Sequence, residues 1–221
     1  PEPRRPWPSA LRLHSCVTPV RASETASPTP DDTSFRVASR RLGRSAYDDA
    51  DMTQAMPEIV TLRSGSALLS VAPAVGGSIT RYASARAGRT FEWMRPASEE
   101  ALTNRSAGNT ASFPLVPFSN RIRDATFRFR GRVLQLEQNF HPEPHAIHGH
   151  AWRQPWDIVN QSNESLTLAY RHPAGRWPWT YRAEQTFTLT PERLRIRFSV
   201  TNESSEAMPV GFGLHPYFIR T

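Results

Sequence analysis

Four histidines fall within ten residues in His141-Pro-Glu-Pro-His145-Ala-Ile-His148-Gly-His150, the densest run of chemically capable side chains in the sequence. Imidazole titrates near ~6.5, so it gives and takes protons at neutral pH and also ligates metals. The run therefore offers either acid–base chemistry or a metal centre. A cupin-like metal site would follow its His-x-His pair with a carboxylate a few residues on. Here His148-Gly149-His150 is followed by Ala151, Trp152, Arg153, Gln154 and Pro155, with no acid before Asp157. Pro142 and Pro144 break up the upstream half. The spacing favours loop histidines and hydrogen-bonding ligands over a bound metal.

His215 lies in Gly211-Phe-Gly-Leu-His-Pro-Tyr-Phe, at the end of a strand-like run. Pro216 restricts the preceding residue to extended backbone, which aims the imidazole in one direction and suits a positioned acid or base. The plainer alternative is a core or edge histidine. A third stretch, Phe113-Pro-Leu-Val-Pro-Phe-Ser-Asn120-Arg121-Ile-Arg123, places polar residues after a constrained apolar turn. Arg121 or Arg123 would present a planar fork of donors to hydroxyls, carboxylates or phosphates, the other being a solvated surface arginine. Trp152 and Trp156 flank Pro155, and Trp177 and Trp179 flank Pro178. Indole faces stack on the C–H face of a sugar ring, whereas Trp156 and Trp179 read as core filling.

These residues sit among short segments rich in β-branched and aromatic residues, separated by turn signals. The pattern predicts strands over 58–62, 67–71, 78–82, 126–129, 133–137, 165–170, 181–190, 194–201 and 209–214. Alternation is plain in Leu194-Arg195-Ile196-Arg197-Phe198, as in a half-buried antiparallel strand. Helical periodicity is not sustained; residues 97–102 could make one or two turns. The fold class is all-β, a large antiparallel β-sandwich in preference to a barrel.

Composition narrows the chemistry. All 27 basic residues are arginine, which excludes Schiff-base and pyridoxal-phosphate enzymes and lysine-dependent phosphate loops. The net charge is +7, but the arginines are scattered through strand-like segments, so no nucleic-acid partner is expected. No apolar run approaches the ~20 residues of a membrane span, and no membrane partner is expected. One cysteine, Cys16, precludes an intrachain disulfide and points to a cytoplasmic setting. Residues 1–51 hold seven prolines and eight arginines with little apolar periodicity. They read as a disordered or mis-called extension, with the folded domain over 52–221.

Four stretches in register resemble the aldose 1-epimerase family of the galactose mutarotase-like superfamily. They are Phe113-Pro-Leu-Val-Pro-Phe-Ser-Asn-Arg-Ile, Ile147-His-Gly-His-Ala-Trp, Trp177-Pro-Trp-Thr-Tyr and Gly213-Leu-His-Pro-Tyr-Phe. Gly76-Gly77 followed by Ile79 fits the family's opening strands. The resemblance runs from about Ile59 to Thr221 and implies a β-sandwich with a sugar-binding cleft on one sheet. It implies that Arg121 binds substrate, that His148 is the first active-site histidine, and that His215 is the general acid. Asn120 and Trp152 join the expected substrate-binding set. The family's general-base glutamate and a sugar-binding aspartate come from later segments, so the domain is expected to be incomplete at its C-terminus.

The implied reaction interconverts the α and β anomers of a hexose. A proton leaves O1, another reaches the ring oxygen, the C1–O5 bond opens, and the ring recloses on its other face. Such a reaction needs no cofactor, redox step or metal. Two alternatives remain open on the same fold: a non-catalytic carbohydrate-binding sandwich, and a hexose 6-phosphate 1-epimerase with an arginine holding the phosphate.

Overall fold

A computed structural model describes residues 55–220 and, further upstream, the backbone of one strand, β1 (Leu11–Cys16). The reading of residues 1–51 as an extension otherwise falls outside the described residues. Among the described residues, no helix is long and apolar enough to cross a membrane.

The first sheet is built from β2 (Val60–Ser64), β3 (Ala67–Ala72), β4 (Ser78–Arg86), β5 (Arg89–Glu92), β6 (Ser112–Leu115) and, from much later in the chain, β15 (Gly213–Pro216). Its order is β15-β6-β4-β3-β2, with β5 pairing on β4. Two small ladders lie between: β7 (Arg121–Ile122) pairs with β10 (Ala146–Ile147), and β8 (Thr126–Phe129) with β9 (Arg132–Gln135). The second sheet holds β11 (Asp157–Gln161), β12 (Ser165–His172), β13 (Tyr181–Thr190) and β14 (Arg193–Asn202), in order β1-β14-β13-β12-β11. All its pairings are antiparallel except β1 on β14.

Period-two alternation makes the sandwich. Strands β13 and β14 bury every second residue, including Phe187, Leu189, Leu194, Ile196 and Phe198, and turn Arg195 and Arg197 to solvent. Those side chains meet Leu62, Leu69, Val71 and Ile79 of the first sheet in one continuous core. Trp156 and Trp179 fill that core, as the sequence suggests. The one α-helix among the described residues is α1 (Glu99–Thr103), capped by Ser98, whose hydroxyl accepts the Ala101 N–H at 3.1 Å.

Strand β6 departs from the alternation because both of its faces are covered, and all four of its residues are buried. Phe113 and Leu115 leave the main core for a second, smaller apolar cluster with Ala72, Val75, Ala107, Ile147 and Trp152. This cluster underlies the candidate site. The last strand forms at Gly213–Pro216, later than the 209–214 expected from sequence, because its register is set by pairing with β6.

Candidate active site

Pairing of β15 with β6 places His215 directly opposite Phe113. The two rings stack, with centroids 4.9 Å apart and planes 11° from parallel. Tyr217 packs against the same imidazole at 4.8 Å, and its own ring lies 3.9 Å beneath the Arg95 guanidinium. Arg95 is anchored in turn by the Gly108 and Thr110 carbonyls, at 3.2 and 3.0 Å. His215 is therefore fixed by a strand register, two aromatic neighbours and an anchored cation behind them.

His148 arrives from the loop after β10. Its imidazole lies 5.4 Å from that of His215, at 75°, and packs on Phe113 and Trp152 at 5.9 and 6.3 Å. His148 adopts left-handed backbone at φ 61, uncommon for a residue with a side chain and a mark of local over-determination. Gly149 follows at φ 69. A Cβ on Gly149 would overlap the Val116 carbonyl, so glycine alone permits this close approach to the end of β6. A similar approach holds Trp152: a Cβ on Gly76 would collide with the Trp152 backbone.

Burial pushes the His148 pKa down to about 4, helped by the nearby His215 and by the positive field of Arg121. At neutral pH His148 is an uncharged imidazole. Its Nδ1 is enclosed and has no hydrogen-bond partner. An enclosed lone pair without a partner is tolerated better than an enclosed N–H. The proton then belongs on Nε2, the nitrogen left to meet a ligand.

Arg121 stands on β7, opposite Ile147, the residue before His148. Its guanidinium makes a two-pronged ion pair with Glu143, at 2.6 and 3.0 Å. This contact raises the arginine pKa and holds the Glu143 carboxyl below its ordinary value. Asn120 is exposed, with left-handed backbone, and its carbonyl accepts the His148 N–H at 2.9 Å. Trp152 is buried in the smaller cluster; its indole donates to the Gly149 carbonyl at 3.1 Å. Arg123 is exposed.

The four histidines of the run separate. His141 is exposed, and His145 accepts the Asp124 backbone N–H at 3.1 Å. His150 turns toward the second sheet, where its Nε2 meets the Tyr181 hydroxyl at 2.9 Å. Burial, chiefly, and then His172 push the His150 pKa down to about 3. His172 is also lowered by burial, partly countered by its bond to the Trp177 carbonyl. Burial raises Tyr181, so its phenol stays protonated and donates to His150. This second cluster borders a hollow of about 530 Å³ with Tyr170, Gln154, Arg171 and Trp177. Sequence reading gave no role to Tyr181, His172, Glu143 or Asn139: Tyr181 closes the Trp177-Pro-Trp-Thr-Tyr stretch and Glu143 sits within the histidine run, but no spacing there marks either, and His172 and Asn139 lie outside these stretches.

A family model for aldose 1-epimerase matches residues 58–221. The chain belongs to the aldose 1-epimerase family. It is 39% identical over 129 residues to the uncharacterized protein YphB of Escherichia coli K12, a match covering 58% of this chain and 42% of that protein. A crystal structure of a candidate aldose 1-epimerase from Escherichia coli K12 shares 37% identity at a TM-score of 0.64, covering 73% of this chain and 52% of that one. A galactose mutarotase-like protein of Clostridium acetobutylicum has the same fold at 21% identity and a TM-score of 0.62, covering 72% and 49%. The chain thus spans about half the length of the relatives it matches, or less. Its antiparallel strands form the galactose mutarotase-like β-sandwich.

Proposed function

We propose that the protein is a sugar 1-epimerase that interconverts the anomers of a hexose by general acid–base catalysis. The observation that carries this reading is the pairing of His148 and His215, 5.4 Å apart on the shared floor of Phe113. One imidazole is held neutral by burial, and the other is fixed by its strand.

His215 protonates the ring oxygen as the C1–O5 bond lengthens. His148 donates a hydrogen bond from Nε2 to the substrate, and Arg121 orients the sugar hydroxyls with Asn120 beside it. Trp152 backs the sugar's apolar face. The base that takes the O1 proton is assigned to a glutamate C-terminal to His215, as the family resemblance implies. The aldehyde rotates about C1–C2, and the same groups act in reverse to close the ring. A positioned acid or base contributes roughly 10²–10⁴-fold. No cofactor or metal takes part in these steps. A cytoplasmic setting fits a chain with a single cysteine.

The test is polarimetry on freshly dissolved α-glucose and α-galactose with the full-length protein. Acceleration beyond buffer supports the proposal. Sugar-dependent tryptophan fluorescence without any acceleration would establish a binding module instead. Strong competition by free phosphate would move the substrate to a hexose 6-phosphate.

A further inference from the structure

The left-handed backbone of His148 needs a support, and the contacts around it converge on one side chain. Asn139 Nδ2 donates to the Ile147 carbonyl at 2.9 Å and to the Gly149 carbonyl at 2.7 Å. Its Oδ1 accepts the Ile147 N–H at 2.8 Å. One primary amide thus holds the residues on both sides of His148, using two donors and one acceptor. The Asn139 main chain is tied down as well, because the Arg153 guanidinium donates to its carbonyl at 3.0 Å. Trp152 adds a second donor to the Gly149 carbonyl at 3.1 Å.

Among short side chains, an amide alone combines two N–H donors with an acceptor at this reach. Aspartate would set carboxylate oxygens against two carbonyl oxygens, and alanine would leave all three backbone groups without their partner. We propose that Asn139 is a positioning residue for His148, clamping the loop so that the imidazole stays over Phe113 and beside His215. It touches no reacting atom. It fixes where the His148 ring starts and which way it points.

The proposal rests on the catalytic role given to His148 above, so its test needs a readout independent of turnover. Histidine-labelled full-length protein is titrated by NMR as wild type, Asn139→Ala and Asn139→Asp, and each is assayed by polarimetry. In wild type, burial pushes the His148 ring down to about 4. In both variants it moves up by a unit or more toward the ordinary value, while His172, in the other cluster, keeps its wild-type titration. Loss of alignment then lowers kcat by about tenfold or more, with KM changed less than about threefold. If neither variant folds, Trp152→Phe removes one donor from the same carbonyl and is expected to shift His148 in the same direction by less. A folded Asn139 variant that is less heat-stable yet keeps the wild-type His148 titration and kcat overturns the proposal. If the wild-type protein shows no mutarotation, the catalytic reading falls, and the His148 titration alone decides the clamp.

Discussion

The imidazole of His215 lies flat on the ring of Phe113, with centroids 4.9 Å apart and planes 11° from parallel. This contact follows from the β15–β6 register, so a strand pairing between residues about a hundred positions apart sets the orientation of the proposed acid. Phe113 also meets His148, Trp152 and Tyr217, which makes it the common floor of the site.

Replacing that floor should damage stability and catalysis together. Phe113→Ala is expected to cost about 3–5 kcal/mol, the usual range for emptying a buried phenylalanine site. Phe113→Leu keeps the apolar volume but removes the stack. It should fold with a modest loss in Tm while kcat falls at least several-fold. Chemical denaturation and polarimetry on the two variants check this; a Phe113→Leu protein with wild-type kcat would remove the stack from the account.

The ion pair between Arg121 and Glu143 leads to a different expectation. Arg121 is exposed and Glu143 only partly covered, so the pair adds little to stability and is screened by salt. Glu143→Gln should leave Tm unchanged and alter KM for the sugar several-fold, because the guanidinium loses its fixed partner. An unchanged KM, with kcat reduced instead, would show that Glu143 acts on the chemistry and not on Arg121.

Three buried or half-buried histidines predict how stability depends on pH. Burial lowers His148 to about 4 and His150 to about 3, and His172 is lowered too. Between those values and the ordinary ~6.5 of an unfolded histidine, the unfolded chain binds more protons than the folded one. Stability is then fully present above about pH 6.5 and falls as the pH drops toward 4 and then 3. Glu143, lowered from 4.5, adds to the loss only at more acidic pH. The urea midpoint should therefore decline already between pH 6.5 and 5, and His150→Asn should flatten that decline. A midpoint constant across this interval would contradict the burial of these rings.

The strands that alternate were legible because one face meets the core and the other meets water. Leu194, Ile196 and Phe198 against Arg195 and Arg197 are the plainest case. Strand β6 was not legible as a strand, since burial on both faces erases the alternation and Pro114 reads as a breaker. Strand β11 escaped for the opposite reason: all five of its residues are exposed. At the site, Arg121, His148 and His215 were marked by motifs, and the structure brings their elements together. Asn139 carried no such signal, because its partners are main-chain groups, which any sequence supplies.

The turn after His148 gives another direct expectation. Gly149 needs both its positive φ and its missing Cβ, so Gly149→Ala should destabilise the protein by more than the ~1 kcal/mol of a simple glycine replacement. The Val116 carbonyl must move, and His148 moves with it. Thermal melting and the His148 NMR titration should change together; a melting temperature equal to wild type would show that the loop has room the packing denies.

The central claim is that His215 delivers the proton to the ring oxygen. The most direct measurement is polarimetry at saturating α-galactose or α-glucose, comparing full-length wild type with His215→Ala. The account predicts a kcat reduced by about 10²–10⁴-fold in a folded variant that still binds sugar. A His215→Ala protein that mutarotates at the wild-type rate would contradict it.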